Sequence, residues 1–98
     1  MNQRFVLSQA ADDDLLEIWA YVFHFEQSDR RADATLDARY DTFRYLAEYP
    51  QSGTPRLRLG PGILAFSKHG YVIAYRVTES AIEIARVSGG EEDILDDL

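Results

Sequence analysis

The stretch GPGILAFSKHGYVIAYRVTESAIEIARV, residues 60–87, decides the fold class. Its aromatic and β-branched residues predict three antiparallel strands, at Gly62–Ser67, Tyr71–Val77 and Ala81–Val87. Gly70 supplies the positive φ that a tight turn needs, and the short polar run of residues 78–80 predicts the second turn. A meander of this kind has one face to bury, so the first half of the chain must supply the cover.

Strict alternation along these strands predicts which side chains share a face. In the third strand it groups Ile82, Ile84 and Arg86 against Glu83, Ala85 and Val87. From the strands and helices together we predict a core that contains Leu15, Ile18, Trp19, Leu36, Phe43, Ile73, Tyr75, Ile82 and Ile84.

The first half of the chain predicts a strand at residues 4–7 and two helices. Ser8 is a favourable N-cap for a helix to about Phe25, and Ser28 or Asp29 can cap a second helix to about Glu48. The first helix has apolar residues at helical spacing: Ala11, Leu15, Ile18, Val22 and Phe25, with Trp19 beside them. The second has Ala32, Leu36, Tyr40, Phe43 and Ala47, with Leu46 adjacent. The prediction is an α+β fold in which a strand and an antiparallel helix hairpin precede and cover the meander.

Two segments outside these elements complete the prediction. Residues 51–61 are expected to form an irregular loop, and a short helix is expected near the end, around Ile94, Leu95 and Leu98. The 98 residues suffice for one domain, residues 1–98. No cysteine is present, and no apolar run approaches the roughly 20 residues of a membrane helix. We therefore expect a cytoplasmic protein without membrane attachment.

The net charge of −7 is unevenly distributed. Residues 1–50 carry a net charge of −5 and residues 89–98 another −5, whereas residues 51–88 carry +3. The basic residues of this middle region, called the basic island below, are Arg56, Arg58, Lys68, Arg76 and Arg86. The island is either a solvated sheet face or a surface that meets an acidic partner or a phosphate backbone. The overall acidity argues against direct nucleic-acid binding.

No residue pattern predicts a metal or a cofactor. Asp12, Asp13 and Asp14 are consecutive, and consecutive helical side chains diverge by about 100°, so the three cannot converge on one ion. Their position in the first helical turn fits the helix dipole instead. The aromatic residues of the first helix are expected to serve packing rather than to bind a cofactor.

The order of these elements and several short motifs resemble the ParE toxins of the RelE/ParE superfamily, from bacterial toxin–antitoxin operons. Residues similar to the opening strand and helix of the family are Leu7, Ser8, Ala11, Asp14, Leu15, Ile18 and Tyr21. Leu46, Pro50, Gly53 and Arg56 resemble its P-x-x-G-x-x-R turn. Residues 59–62, Phe66, residues 71–76 and residues 82–87 look like its central hairpin and last strand, and Asp93 resembles a C-terminal aspartate. The resemblance covers nearly the whole chain.

The chain departs from the family pattern at three positions. Leu64 replaces a residue that is often basic, Gly89-Gly90 stands where many members have His-Gly, and Glu92 stands where they have arginine. Any site that depends on these groups is in doubt, and the loss of positive charge agrees with the acidic composition.

The resemblance implies a toxin of a type II toxin–antitoxin system, with three alternatives for its action. The first is a ParE-like toxin that binds DNA gyrase and is neutralised by a ParD-like antitoxin of the ribbon-helix-helix type, in a hetero-oligomer. The second is a ribosome-dependent mRNA endonuclease of the RelE type. The third is a degenerate toxin that retains only antitoxin binding. Contact with nucleic acid is expected only through the antitoxin.

The sequence favours binding over catalysis. RNA cleavage needs a general base and an acid beside cations that bind the phosphate. The histidines, His24 near the end of the first helix and His69 in the hairpin turn, are not predicted to face a basic cluster. We therefore expect no catalytic residues. The residues expected to bind the antitoxin or the target are those of the basic island together with Trp19 and Tyr40.

Overall fold

A computed structural model describes residues 4–88. In chain order it contains β1 (Arg4–Leu7), α1 (Gln9–Glu26), α2 (Asp29–Glu48), β2 (Thr54–Pro55), β3 (Ile63–Lys68), β4 (Tyr71–Val77) and β5 (Ala81–Val87). Short 3-10 turns at Pro50–Ser52 and Leu57–Leu59 flank β2. The α+β fold with a helix hairpin before a three-stranded meander is confirmed. The predicted C-terminal helix lies outside the described residues.

The strands form one five-stranded sheet in the order β1-β5-β4-β3-β2. β3, β4 and β5 are antiparallel, whereas β1 pairs in parallel with β5, with Arg4 opposite Ala81 and Leu7 opposite Ile84. The turn between β3 and β4 uses positive φ at both His69 and Gly70. Two positive φ values are the signature of a two-residue type I′ hairpin turn, which suits the twist of the strands.

Both predicted helix caps are present. The Ser8 hydroxyl accepts a hydrogen bond from the Ala11 N–H at 3.0 Å, and the Ser28 hydroxyl accepts one from the Arg31 N–H at 3.1 Å. Each bond satisfies an N–H group that the first helical turn leaves without a partner. Ser8 also donates its hydroxyl to the Ala85 carbonyl at 2.9 Å, so this residue joins the start of α1 to β5.

The main core lies between the helix hairpin and the sheet. Its large buried side chains come from both layers: Leu15, Ile18, Phe43, Leu46, Tyr71, Ile73, Tyr75, Ile82, Ile84 and Val87. The predicted strand register is therefore confirmed at Ile84, which is fully buried. A smaller cluster of Ile63 and Ala74 lies apart from this core, and Leu59 packs against it.

One expectation about burial is corrected, that for Phe25, which was predicted on the apolar face of α1. Trp19 and Leu36 are mostly buried as predicted but keep some exposure, because each lies at the border of its helix's apolar face. Phe25 is 66% exposed, since α1 extends beyond the sheet that covers its earlier turns.

Two details of the sheet also differ from expectation. The predicted loop at 51–61 contains β2, whose two residues pair with β3 through Thr54 opposite Ala65. The register between β4 and β5 shifts between Ala74 and Tyr75. As a result Ile82, Ile84 and Val87 all reach the core, and the alternation that grouped Arg86 with the isoleucines is wrong at this end of the strand. A β-bulge adds one residue and exchanges the faces beyond it.

Candidate functional site

The structure spreads the basic island over the sheet. Arg76 on β4 pairs with Ile63 at one end of the β3–β4 hairpin, and Lys68 pairs with Tyr71 at the other end. The five residue steps from Ile63 to Lys68 span about 17 Å of strand. Arg56 and Arg58 are exposed in the segment around the second 3-10 turn. The island therefore does not form one compact cluster.

Two members of the island form ion pairs within the sheet and with α1. Arg76 pairs with Glu83 on the neighbouring strand at 3.0 Å, and both side chains are partly exposed. Arg86 binds both carboxylate oxygens of Asp14 on α1, at 2.9 and 3.0 Å. The Arg86 pair is the better shielded of the two, so its guanidinium contributes to the fold whatever else it contacts.

The two aromatic candidates lie at the edges of the core. Tyr40 is half-buried and packs its ring on Phe5 and Phe43, with centroid distances of 6.1 and 5.2 Å. Trp19 stacks almost parallel on Phe23 at 5.2 Å and donates its indole N–H to Asp33 on α2 at 2.9 Å. Tyr40 is therefore mainly a packing residue, whereas Trp19 belongs to the surface.

The exposed side of α1 has unusually many apolar side chains. Leu16, Tyr21 and Phe25 are 69%, 64% and 66% exposed. Tyr21 and Phe25 have the i, i+4 spacing of one helix flank and their rings lie 4.7 Å apart. Leu16 and Phe23 lie on the other flank beside Trp19. Exposed apolar groups of this density on a small domain mark a protein-binding surface.

A second exposed aromatic group lies at the end of α2. Tyr45 and Tyr49 contact each other at 5.0 Å, and the Tyr45 ring lies 5.7 Å from Phe66 on β3. Phe66 and Leu64 are only partly buried against the core. The region between the helix hairpin and β3 is therefore apolar and partly open.

An open cleft of about 690 Å³ lies where the end of α1, the first half of α2 and the β3–β4 turn meet. Its lining residues are Val22, Glu26, Arg30, Arg31, Ala34, Thr35, Ala38, Arg39, His69 and Tyr71. Three arginines and one glutamate give this cleft a positive charge, although the chain as a whole is acidic. No part of the cleft was predicted as a site.

Arg39 lies in this cleft with its side chain almost completely buried, at 6% exposure. Its guanidinium lies 4.1 Å from the centre of the Tyr71 ring and donates to the carbonyls of Thr35 and Ser88 at 3.3 and 3.4 Å. Its Nε has no hydrogen-bond partner. Burial lowers the pKa of Arg39 from its usual value, and the nearby Tyr71 opposes this shift. Within residues 4–88, no carboxylate pairs with it.

The histidines lie where they were predicted, but His69 has neighbours that the prediction did not include. His24 is exposed in the last turn of α1. His69 is exposed in the turn rather than on a strand, and it lines the cleft with Arg30, Arg31 and Arg39, a group of neighbours that the prediction did not include. The helix hairpin brings these arginines to the turn, and sequence spacing within the strands cannot show this.

Residues 4–88 contain no group of three or more histidine or acidic side chains that could hold a metal ion. Over the same residues, no helix is both long and apolar enough to cross a membrane.

Comparison with solved structures defines the class of fold. A chain of the chromosomal ParDE toxin–antitoxin system from P. aeruginosa superposes with a TM-score of 0.74 at 17% identity, over 88% of this chain and 94% of that one. A chain of the toxin–antitoxin complex RelBE2 from Mycobacterium tuberculosis gives a TM-score of 0.61 at 20% identity, over 90% and 98%. The fold is therefore that of ParE/RelE toxins. No curated protein sequence matches the chain.

The family follows from the sequence itself. The profile of the ParE toxin of type II toxin–antitoxin systems, parDE, matches residues 5–94, and the chain belongs to this family. The sequence resemblance is thus confirmed at the level of the ParE family and of the ParE/RelE fold.

Proposed function

We propose that this protein is a toxin that acts by binding another protein, with DNA gyrase as the target, and that a ParD-like ribbon-helix-helix antitoxin neutralises it in a hetero-oligomer. The observation that carries the proposal is the exposed apolar flank of α1 formed by Tyr21 and Phe25, whose rings lie 4.7 Å apart. Leu16, Trp19 and Phe23 lie on the opposite flank of the helix. Aromatic side chains at such positions are the residues that most often dominate protein–protein affinity.

The antitoxin segment is proposed to lie along the helix hairpin and the open edge near β3. An amphipathic or extended segment binds such a surface through apolar anchors and orients itself through charges at the rim. The basic island supplies rim charges through Arg56, Arg58, Lys68 and Arg76, while acidic residues line the exposed side of α2. The segment should therefore carry residues of both signs.

Antitoxin binding is tested by titrating the chain with the purified product of the neighbouring antitoxin gene. Tyr21→Ala and Phe25→Ala should each weaken binding about tenfold or more, as loss of an aromatic anchor does. Val6→Ala is the control, because Val6 is an exposed apolar residue on β1, at the opposite edge of the sheet from β2 and β3. Unchanged affinity in both α1 variants would contradict the proposed surface.

The target is tested separately with purified components. The chain should inhibit DNA supercoiling by gyrase and should leave ribosome-bound mRNA intact in a cell-free translation reaction. Cleaved mRNA would instead support the RelE-type endonuclease, for which the presence of His69 in an arginine-lined cleft is the one favourable observation. Antitoxin binding without either effect would support a degenerate toxin.

The absence of catalysis is part of the proposal. Tyr71, the other candidate base at the cleft, has its hydroxyl within 2.7 Å of the Thr42 hydroxyl and within 3.4 Å of the Ala38 carbonyl. A phenol engaged in this way is poorly placed to take a proton from a substrate.

A further inference from the structure

The cleft around Arg39 combines two features that a purely structural arginine does not need. Arg39 is only 6% exposed, and within residues 4–88 its Nε has no hydrogen-bond partner. Its two bonds, to the Thr35 and Ser88 carbonyls, are long and carry no compensating charge. Arginines that are buried for stability are normally paired with a carboxylate, because an unpaired buried charge is costly.

The other groups in the cleft strengthen the positive charge. Arg30 and Arg31 line the same opening, and their side chains are exposed at the rim. Among residues 4–88 the one acid that lines the cleft is Glu26, which lies 3.9 Å from Arg31 and has half of its side chain exposed. It therefore offsets one rim arginine and leaves Arg39 uncompensated. An anion that entered the cleft would come close to the Arg39 side chain and to the two exposed arginines at the rim.

From this arrangement we infer that the cleft is a carboxylate-binding site, which receives an acidic side chain of a polypeptide bound to the toxin. The planar fork of a guanidinium matches a carboxylate, and a partly dry site strengthens the bond. Val22, Ala34 and Ala38 give the cleft apolar walls that suit the methylenes of a glutamate.

A peptide carboxylate fits this surface better than a nucleic-acid backbone. A phosphate chain brings a charge with every nucleotide, and its affinity depends on many cations in a row. Here the cleft is bordered by the acidic face of α2, where Asp29, Asp33 and Asp37 are exposed. A single carboxylate can enter between these charges, whereas a polyanion would be repelled by them. The identification of the peptide as an antitoxin segment rests on the proposed function, but the site itself does not.

The test uses the full chain and two matched peptides. Acetyl-Ala-Glu-Ala-amide carries one carboxylate, and acetyl-Ala-Gln-Ala-amide is its neutral isostere. At constant ionic strength the glutamate peptide should shift the NMR signal of the Arg39 Nε–H and raise the thermal midpoint, and the glutamine peptide should do neither. Arg39→Met should weaken binding of the glutamate peptide about tenfold or more, the factor for one charge-assisted hydrogen bond.

Arg44→Met is the control, since Arg44 lies on the same helix but pairs with Asp41 outside the cleft. It should leave peptide binding unchanged. Without peptide, Arg39→Met should keep or raise the thermal midpoint, because it removes a buried charge without a partner. A lower midpoint together with no response to the glutamate peptide would show that Arg39 is only structural and would overturn the inference.

Two further experiments test the alternative ligands of the cleft, a nucleic acid and the acidic residues of this chain that follow Ser88. Tighter binding of single-stranded RNA than of the glutamate peptide, lost in Arg39→Met, would assign the cleft to nucleic acid and overturn the inference. The residues after Ser88 include five acids, Glu91, Glu92, Asp93, Asp96 and Asp97. If converting these to amides shifts the Arg39 Nε–H signal without peptide, the occupant is this chain's own segment, which also contradicts binding of a separate polypeptide. Because no antitoxin is used, these outcomes are independent of the proposed function.

Discussion

Asp14 on α1 holds the end of β5 through three hydrogen bonds, two from the Arg86 guanidinium and one from the backbone N–H of Val87 at 2.8 Å. The Val87 N–H lies beyond the end of β1, where the sheet has no further strand to accept it. The carboxylate therefore replaces a strand partner and attaches α1 to the sheet edge.

Replacing Asp14 with asparagine should destabilise the fold by about 1.5–3 kcal/mol, the usual loss for hydrogen bonds to a charged group. Chemical denaturation measures this difference. Asp13→Asn is the control, because Asp13 is exposed on the same turn, and it should change stability by no more than about 0.5 kcal/mol. Equal effects of the two variants would contradict a structural role for Asp14.

Because Arg86 binds Asp14, Arg86→Glu should also unfold this edge of the sheet. A change in partner binding by that variant would therefore not show that Arg86 contacts the partner.

Tyr75 ties β4 to the segment after α2. Its hydroxyl donates to the Pro50 carbonyl at 2.6 Å and accepts from the Gly53 N–H at 2.8 Å. Tyr75→Phe should cost about 1–3 kcal/mol because it leaves both backbone groups without this partner. Gly53→Ala should also destabilise, since an added Cβ would lie 2.7 Å from that hydroxyl. Thermal midpoints that stay unchanged in both variants would contradict this link.

Tyr75 also makes the stability of the fold depend on pH in the alkaline range. Burial raises the pKa of Tyr75 above its ordinary value of 10.0, and the hydrogen bond from Gly53 opposes this shift in part. A raised pKa in the folded state means that this contribution to stability is complete below about pH 10 and is lost as the pH rises through the folded-state pKa. The stability difference between the wild-type chain and Tyr75→Phe should therefore shrink above about pH 10. Denaturation at a series of pH values checks this, and a difference that grows with pH would contradict it.

Ile84 is fully buried between the helices and the sheet, so shortening its side chain should strongly reduce the stability of the fold. Ile84→Ala should destabilise by about 2–5 kcal/mol, as large-to-small changes in a core do. Leu57→Ala removes a comparable side chain that is 83% exposed, so its effect should stay within about 0.5 kcal/mol. Similar denaturation midpoints for the two variants would show that the register is wrong.

The proposed binding mechanism predicts that the histidines are dispensable. His24→Ala and His69→Ala should each leave growth arrest unchanged when the chain is expressed without antitoxin, because neither side chain would exchange protons with a substrate. Circular dichroism of the purified variants controls for folding. If a folded His69→Ala chain no longer arrests growth, the binding-only proposal fails and the endonuclease alternative gains support.

The charges at the rim are tested by kinetics. Arg76 is partly exposed and paired with Glu83, so Arg76→Glu can be compared with the charge swap Arg76→Glu/Glu83→Arg, which keeps the pair. If Arg76 lies at the rim of the antitoxin surface, Arg76→Glu should mainly slow association, and the effect should decrease at high salt. Unchanged association and dissociation rates at two salt concentrations would exclude Arg76 from that surface.

The elements of this fold could be predicted because their signals are local. Ser8 and Ser28 are caps that act within one turn, and Gly70 fixes a hairpin by its own φ. The bulge beside Tyr75 could not be predicted, since alternation assumes that no residue is added. β2 could not be predicted, because a strand of two residues is too short to show an alternation of apolar and polar side chains.

The candidate site was harder to predict than the fold. Arg39 was overlooked because a charged residue is expected at the surface, and its burial depends on the Tyr71 ring from a distant strand. One local signal was available: Arg39 lies seven residues after Ala32 and four before Phe43, both of which are buried on α2. A charged residue at that spacing on an apolar stripe is an indication of burial. The exposure of Phe25 depends on where the sheet stops, which helix periodicity does not contain.

The parallel pairing of β1 with β5 has a consequence for how the chain folds. It joins the two ends of the described region, and the bond from Ser8 to Ala85 spans 77 residues. The helix hairpin and the β-meander can form from neighbouring residues, but β1 must wait until the last strand has been synthesised. Contacts between such distant residues are slow to form because closing the long loop between them costs conformational entropy before the contact stabilises the chain. On the ribosome, this fold is therefore completed only after β5 has emerged and become available to β1.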